Sequence, residues 1–163
     1  MSGQPSGTNL TEIKETLKHT DAEIESVVYG YTPLMISEYC PMGVLVRDCK
    51  KDKRSAICNK SVYALKDSKS EVFRITQDIF CRSSIYNSKP LCMIDDLIDV
   101  KNAGINVFRL DFTFEDASQV KEVVEAHIEV INNDFEMDTK AKQFYNNLDK
   151  VGITKAHYYK GVE

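Results

Sequence analysis

An α/β fold is what this sequence predicts, and three observations predict it. After Pro90 the apolar pattern alternates helix, strand and helix. Upstream, Ile24–Gly30 reads as a buried strand ended by glycine. Between them lie three short strand-like runs bounded by turn residues. The 163 residues suffice for one ordinary domain, and 42% apolar with 28% charged residues is a globular composition rather than a disordered one.

The elements follow in order. Residues 1–22 read as a lead-in with one short helix. Leu10, Ile13 and Leu17 recur at helical spacing behind Thr8 or Asn9 as cap, which predicts a helix to about His19. After the Ile24–Gly30 strand, the apolar run Pro33–Ile36 leads into Cys40. Residues 41–60 have no period and many charges, so they read as an irregular loop held by something other than a core. Strands are expected at Val62–Lys66, Glu71–Ile75 and Arg82–Tyr86, the first two joined as a hairpin by Asp67-Ser68-Lys69-Ser70. Met93, Ile94, Leu97, Ile98 and Val100 suit a helix closed by Gly104, and Ile105–Phe112 suits a strand. A long helix from about Asp116 carries Val120, Val123, Val124, His127, Val130 and Ile131 on one face. A last helix spans Thr139–Lys150 and stops at Gly152. No internal repeat is present. Two buried strands make no stable parallel sheet by themselves, so the chain reads as part of something larger.

Charge and apolar runs narrow the function. No run is long enough for a membrane-spanning helix, and Met1–Asn9 lacks the basic start and apolar core of a secretory leader. A cytoplasmic location is the expectation, where thiols stay reduced and serve metals or catalysis rather than disulfides. A net charge of −4 argues against a whole-surface nucleic-acid binder, although Arg47, Lys50, Lys51, Lys53 and Arg54 form a local basic run.

Cysteines carry the strongest chemical signal. Of five, Cys40, Cys49, Cys58 and Cys81 lie at gaps of nine, nine and 23 residues, near turn-forming or basic neighbours. Cys92, in Leu91-Cys92-Met93-Ile94, reads as a small buried hydrophobe. Scattered packing thiols are one reading of the four. Against it, Cys49 and Cys58 bracket a stretch too polar for a core. No Cys-x-x-Cys pair is present, and four thiolates from separate loops suit zinc or an iron–sulfur cluster equally.

Other candidates have plainer readings. Arg109 and Asp111 share one face of a strand, as a structural ion pair to a helix or as polar groups of an active-site face. Glu115 serves as acid, base or ligand, or simply favours the first turn of the next helix. His127 reads as a packed core histidine and His19 as exposed. His157 lies in a terminal segment with Tyr158 and Tyr159 that suits a docked tail. No nucleophile elbow, zinc-protease, P-loop or dinucleotide motif occurs, so nothing names a protease nucleophile.

Several segments in order resemble the C-terminal half of the collagenase-like peptidase family U-32. They are Tyr29–Pro41, Tyr63–Asp67, Cys81–Ser88, Phe108–Thr113 and the closing His157–Val162, with Ala156 and Lys160 where the family has glycine and arginine. The resemblance covers about residues 23–163. It implies a partial (β/α) barrel fragment with a cysteine-rich, hairpin-containing insertion at about 37–90, an α/β part at about 91–163, and C-terminal helices. It also implies a [4Fe–4S] cluster on Cys40, Cys49, Cys58 and Cys81; the alternative, apart from the resemblance, is a non-catalytic binding module in which the same four cysteines hold zinc. The family label is peptidase, a hydrolase. The cluster-bearing members resemble hydroxylation enzymes acting on RNA or quinone precursors, so an RNA, protein or small-molecule substrate is implied. The N-terminal barrel half with most of the substrate pocket is expected on another segment or chain, leaving this chain catalytically incomplete alone. Its open strand edge is expected to favour pairing with another chain.

Overall fold

The computed structural model describes residues 2–3, 8–45, 63–78, 80–155 and 158–159. In chain order the elements are β1 (Ser2–Gly3), α1 (Leu10–Leu17), β2 (Ile24–Gly30), β3 (Pro33–Ser37), α2 (Pro41–Leu45), β4 (Tyr63–Lys66), β5 (Val72–Gln77) and β6 (Ser83–Tyr86). Then follow β7 (Leu91–Cys92), a 3-10 turn Ile94–Asp96, α3 (Leu97–Asn102), β8 (Val107–Asp111), α4 (Ala117–Asn132) and α5 (Thr139–Val151). They fall into two compact units, Met1–Tyr31 with Lys89–Glu163, and Thr32–Ser88.

The first unit is built around β2. This strand runs parallel to β8 on one side; on the other it meets parallel β1 at its start and antiparallel β7 at its end. None of its residues is exposed, as suits a central strand, and Ile24, Val28 and Tyr29 are its buried apolar positions. The β2–β8 register slips between Val27↔Arg109 and Tyr29↔Leu110, leaving Val28 as an extra residue. The Val28 carbonyl accepts instead from the Met93 amide at 2.9 Å. At the end of β2, Gly30 has φ +136, and a Cβ there would run into the Asp111 carbonyl of β8. Only glycine fits that position.

Local signals fix the helices. Asn9 Oδ1 accepts from the Glu12 amide and Glu12 Oε2 accepts from the Asn9 amide, both at 2.9 Å, a capping box that starts α1. Asp116 and Gln119 repeat the device on α4, and Asp138 Oδ1 accepts from the Ala141 amide to start α5. The buried residues of these helices, including Ile13, Leu97, Val100, Val123, Val130 and Phe144, join Val28, Cys92, Met93, Ile94 and Ile105 in one core. Each fully buried aliphatic side chain there contributes about 1.5–3 kcal/mol of burial.

The second unit is an antiparallel sheet of order β3-β6-β5-β4. The expected hairpin is β4–β5, whose turn is held by Asp67 Oδ1 accepting from the Lys69 and Glu71 amides at 2.8 and 2.9 Å. The apolar run before Cys40 forms β3, an edge strand of this sheet with Leu34, Met35 and Ile36 all more than half exposed.

The fold is thus mixed α/β; the described strands form no closed barrel, and among them β8 pairs with β2 alone. One expectation is corrected. The irregular loop expected over 41–60 gives way at its start to α2, because Pro41 suits the first helical position, where no amide is needed. The rest of that expectation lies outside the described residues.

Candidate metal centre

Strand register brings two of the four cysteines to one end of the second unit. Ser37 of β3 pairs with Ser83 of β6, and Ser83 pairs with Gln77 of β5. Cys40 follows Ser37 by three residues and Cys81 precedes Ser83 by two, so antiparallel pairing puts both at the same end of the sheet. The chain also enters β4 there, Tyr63 pairing with Ile75. Residues paired directly across antiparallel strands project to one face, so Ser37, Ser83 and Gln77 share a face.

Cys40 is held by hydrogen bonds to its sulfur. Its Sγ accepts from Gln77 Nε2 at 3.0 Å and from the Gly43 amide at 3.3 Å. Both contacts bring an N–H donor to the sulfur, which serves as acceptor in each. Ser83, paired with Ser37 and Gln77, is buried and its Oγ has no hydrogen-bond partner among the described residues.

Cys81 sits in the turn between β5 and β6 with φ +65, left-handed for a residue carrying a Cβ. Asp78 imposes that conformation. Its Oδ1 accepts from the Phe80 and Arg82 amides at 2.8 and 2.9 Å, its Oδ2 pairs with Arg82 Nε at 2.6 Å, and its carbonyl accepts from the Cys81 amide at 3.1 Å. Cys81 is exposed and Cys40 half-buried, and neither is in a disulfide with another described residue.

Cys49 and Cys58 lie outside the described residues, as do His157 and the basic run Arg47–Arg54. Among the described residues, no group of three or more His, Cys, Asp and Glu is gathered to hold a metal. The described half of the set fits a sulfur-ligated group in its chemistry: two cysteines at one sheet end, the sulfur of one accepting two N–H bonds. Cys92 is fully buried, and desolvation pushes its thiol up to about 11.

The remaining candidates lie in the first unit. Arg109 and Asp111 do form an ion pair, Nε to Oδ1 at 2.8 Å, but the other partner is Glu25 Oε1 of β2 at 2.7 Å and not a helix. Adjacent parallel strands bring Glu25 and Arg109 together. Glu115 precedes the N-cap of α4 instead of lying in its first turn. Its Oε2 accepts from the Thr113 and Phe114 amides at 2.9 and 3.0 Å and closes its own loop. Burial first, and then Glu115, push the phenol of Tyr29 well above its ordinary value. His127 is a core residue, as expected: Nδ1 lies 2.8 Å from the Val123 carbonyl, Nε2 has no partner among the described residues, and burial lowers its pKa to about 4. His19 is exposed, beside Glu15.

Between α4 and α5 a groove of about 310 Å³ is lined by Glu122, Glu125, Glu129 and Lys140. Three carboxylates against one lysine make it a poor place for a nucleic-acid phosphate.

Gln77 and Asp78 were not singled out in the sequence. Asp78 had a signal, an aspartate four residues ahead of an arginine across a turn; Gln77 had none, because its role depends on strand register.

No curated protein and no solved structure matches the chain. One family model does, that of Peptidase family U32, over residues 6–161. That match takes in both units and the sheet end that carries Cys40 and Cys81, and the chain belongs to peptidase family U32.

Proposed function

We propose that this chain is the cluster-binding part of a U32 protein, in which Cys40, Cys49, Cys58 and Cys81 hold a [4Fe–4S] cluster. The observation that carries the reading is the Cys40 sulfur accepting two N–H bonds at the sheet end that also bears Cys81. When bound, such a cluster supplies electron transfer, which suits redox hydroxylation of RNA or a small molecule better than peptide hydrolysis. The chain's own residues have two tasks. The Gly43 amide and Gln77 orient one sulfur, and Asp78 fixes the backbone from which the Cys81 side chain leaves.

In support of a barrel fragment, β2 and β8 are parallel neighbours, with α3 ahead of β8 and α4 after it, the strand–helix alternation of a (β/α) barrel. In this reading the edge of β8 receives a further strand from an N-terminal barrel half or a second chain, and the substrate pocket is completed there. The working location is the cytoplasm, where thiolates stay reduced. No helix among the described residues is long and apolar enough to cross a membrane.

The test is anaerobic purification with iron, sulfide and zinc quantified and a visible spectrum recorded, on wild type and Cys81→Ser. Iron and sulfide near about four each per chain, lost on substitution, are expected. Stoichiometric zinc in a colourless protein would replace the redox reading with a zinc-held binding module. Absence of all three would remove the centre.

A further inference from the structure

We infer that Gln77 is a positioning residue of the cluster site, donating a hydrogen bond to the Cys40 sulfur that raises the reduction potential of the bound cluster. The inference rests on the cluster reading above and adds a residue that the cysteine pattern does not contain.

Geometry carries it. Gln77 Nε2 lies 3.0 Å from Cys40 Sγ, across 37 residues of sequence. A side-chain amide can turn either end toward a neighbour, but a thiolate sulfur accepts and does not donate, so only the N–H end is attractive there. The placement is not a loop accident. Gln77 is the last residue of β5, and its backbone is paired to Ser83 of β6, so the amide is carried on a strand. The Gly43 amide gives the same sulfur a second, main-chain donor. Of these two donors, Gln77 is the one a substitution can remove without altering the backbone.

The physical effect has a definite sign. A donor at a ligating sulfur withdraws electron density from it and stabilises the form with more negative charge, which is the reduced cluster. Removing the donor therefore lowers the potential. Gln77 is neutral, so the effect is not that of a charge placed nearby and should depend weakly on salt.

The experiment uses the full chain, reconstituted anaerobically with ferrous iron, sulfide and thiol. Wild type, Gln77→Leu and Gln77→His are compared by iron and sulfide content and by spectroelectrochemical titration. Gln77→Leu is expected to keep the cluster and to titrate at a more negative potential, with Gln77→His, whose ring N–H can donate, returning toward wild type. A Gln77→Leu cluster with the wild-type potential would overturn the inference while leaving the cluster reading intact. Where Gln77→Leu takes up no cluster, Gln77→His decides: uptake sustains the hydrogen bond, and a second failure overturns it. A wild-type chain that takes up no iron or sulfide would overturn the cluster reading and this role with it.

Discussion

The Tyr158 hydroxyl donates to the Val27 carbonyl at 2.6 Å, tying residues 131 positions apart at the point where β2 slips register against β8. The single phenolic proton is spent on Val27, so the 2.5 Å contact between Tyr158 and Ser26 has the serine donating. Thr154 and Lys155 are also held, the Thr154 carbonyl accepting from the Cys92 amide at 3.1 Å and Lys155 pairing with Asp95 and Asp96. Burial pushes the Tyr158 phenol up to about 12, which keeps it a donor at neutral pH.

Tyr158→Phe should therefore destabilise the first unit by about 1–3 kcal/mol, because it leaves the Val27 carbonyl short of a partner and removes an acceptor from buried Ser26. Urea unfolding measures it. An unchanged midpoint would mean that the tail is not anchored this way.

Gly30→Ala should cost more, about 2 kcal/mol or above, since it combines a left-handed φ with a collision against the Asp111 carbonyl. The thermal midpoint of the purified variant reports it. A variant as stable as wild type would show that β2 and β8 can separate locally at low cost.

His127 sets an acid limit on stability. It is neutral when folded, with a pKa lowered to about 4 by burial, against about 6.5 when unfolded. The unfolded chain then binds more protons between these values, so the stability His127 contributes is present above about pH 6.5 and is lost as pH drops toward 4. The loss approaches about 3 kcal/mol at the lower end. Denaturant midpoints from pH 7 to 4, compared with His127→Leu, should show a shallower slope in the variant. Equal slopes would place the acid sensitivity elsewhere.

The free thiols should separate by reactivity. Cys92 is fully buried, with its thiol pushed up to about 11, whereas Cys81 is exposed. Brief alkylation of the folded metal-free chain at pH 8, read by peptide mass spectrometry, should label Cys81 and spare Cys92 until denaturant is added. Early labelling of Cys92 would contradict its place in the core.

Arg109→Ala is expected to cost under about 1 kcal/mol, because its ion pairs with Glu25 and Asp111 are half exposed and screened by solvent. A larger loss by chemical denaturation would give that cluster a structural weight its exposure does not predict.

The sequence by itself determined the local elements. Asn9 with Glu12 and Asp116 with Gln119 announce helix starts within four residues, Gly104 and Gly152 mark helix ends, and the Asp67–Ser70 turn folds the β4–β5 hairpin. The apolar face that buries His127 and the burial of Cys92 were legible for the same reason: side-chain periodicity is a short-range property. Tertiary structure alone decided the rest. It set Glu25 against Arg109, hung Tyr158 on the slip in β2, and brought the Gln77 amide to the Cys40 sulfur. Each of these contacts depends on strand register or on a long-range docking step. Shifting the register by one residue would turn every such side chain to the opposite face without altering any local pattern, so the contacts leave no periodic trace in the chain.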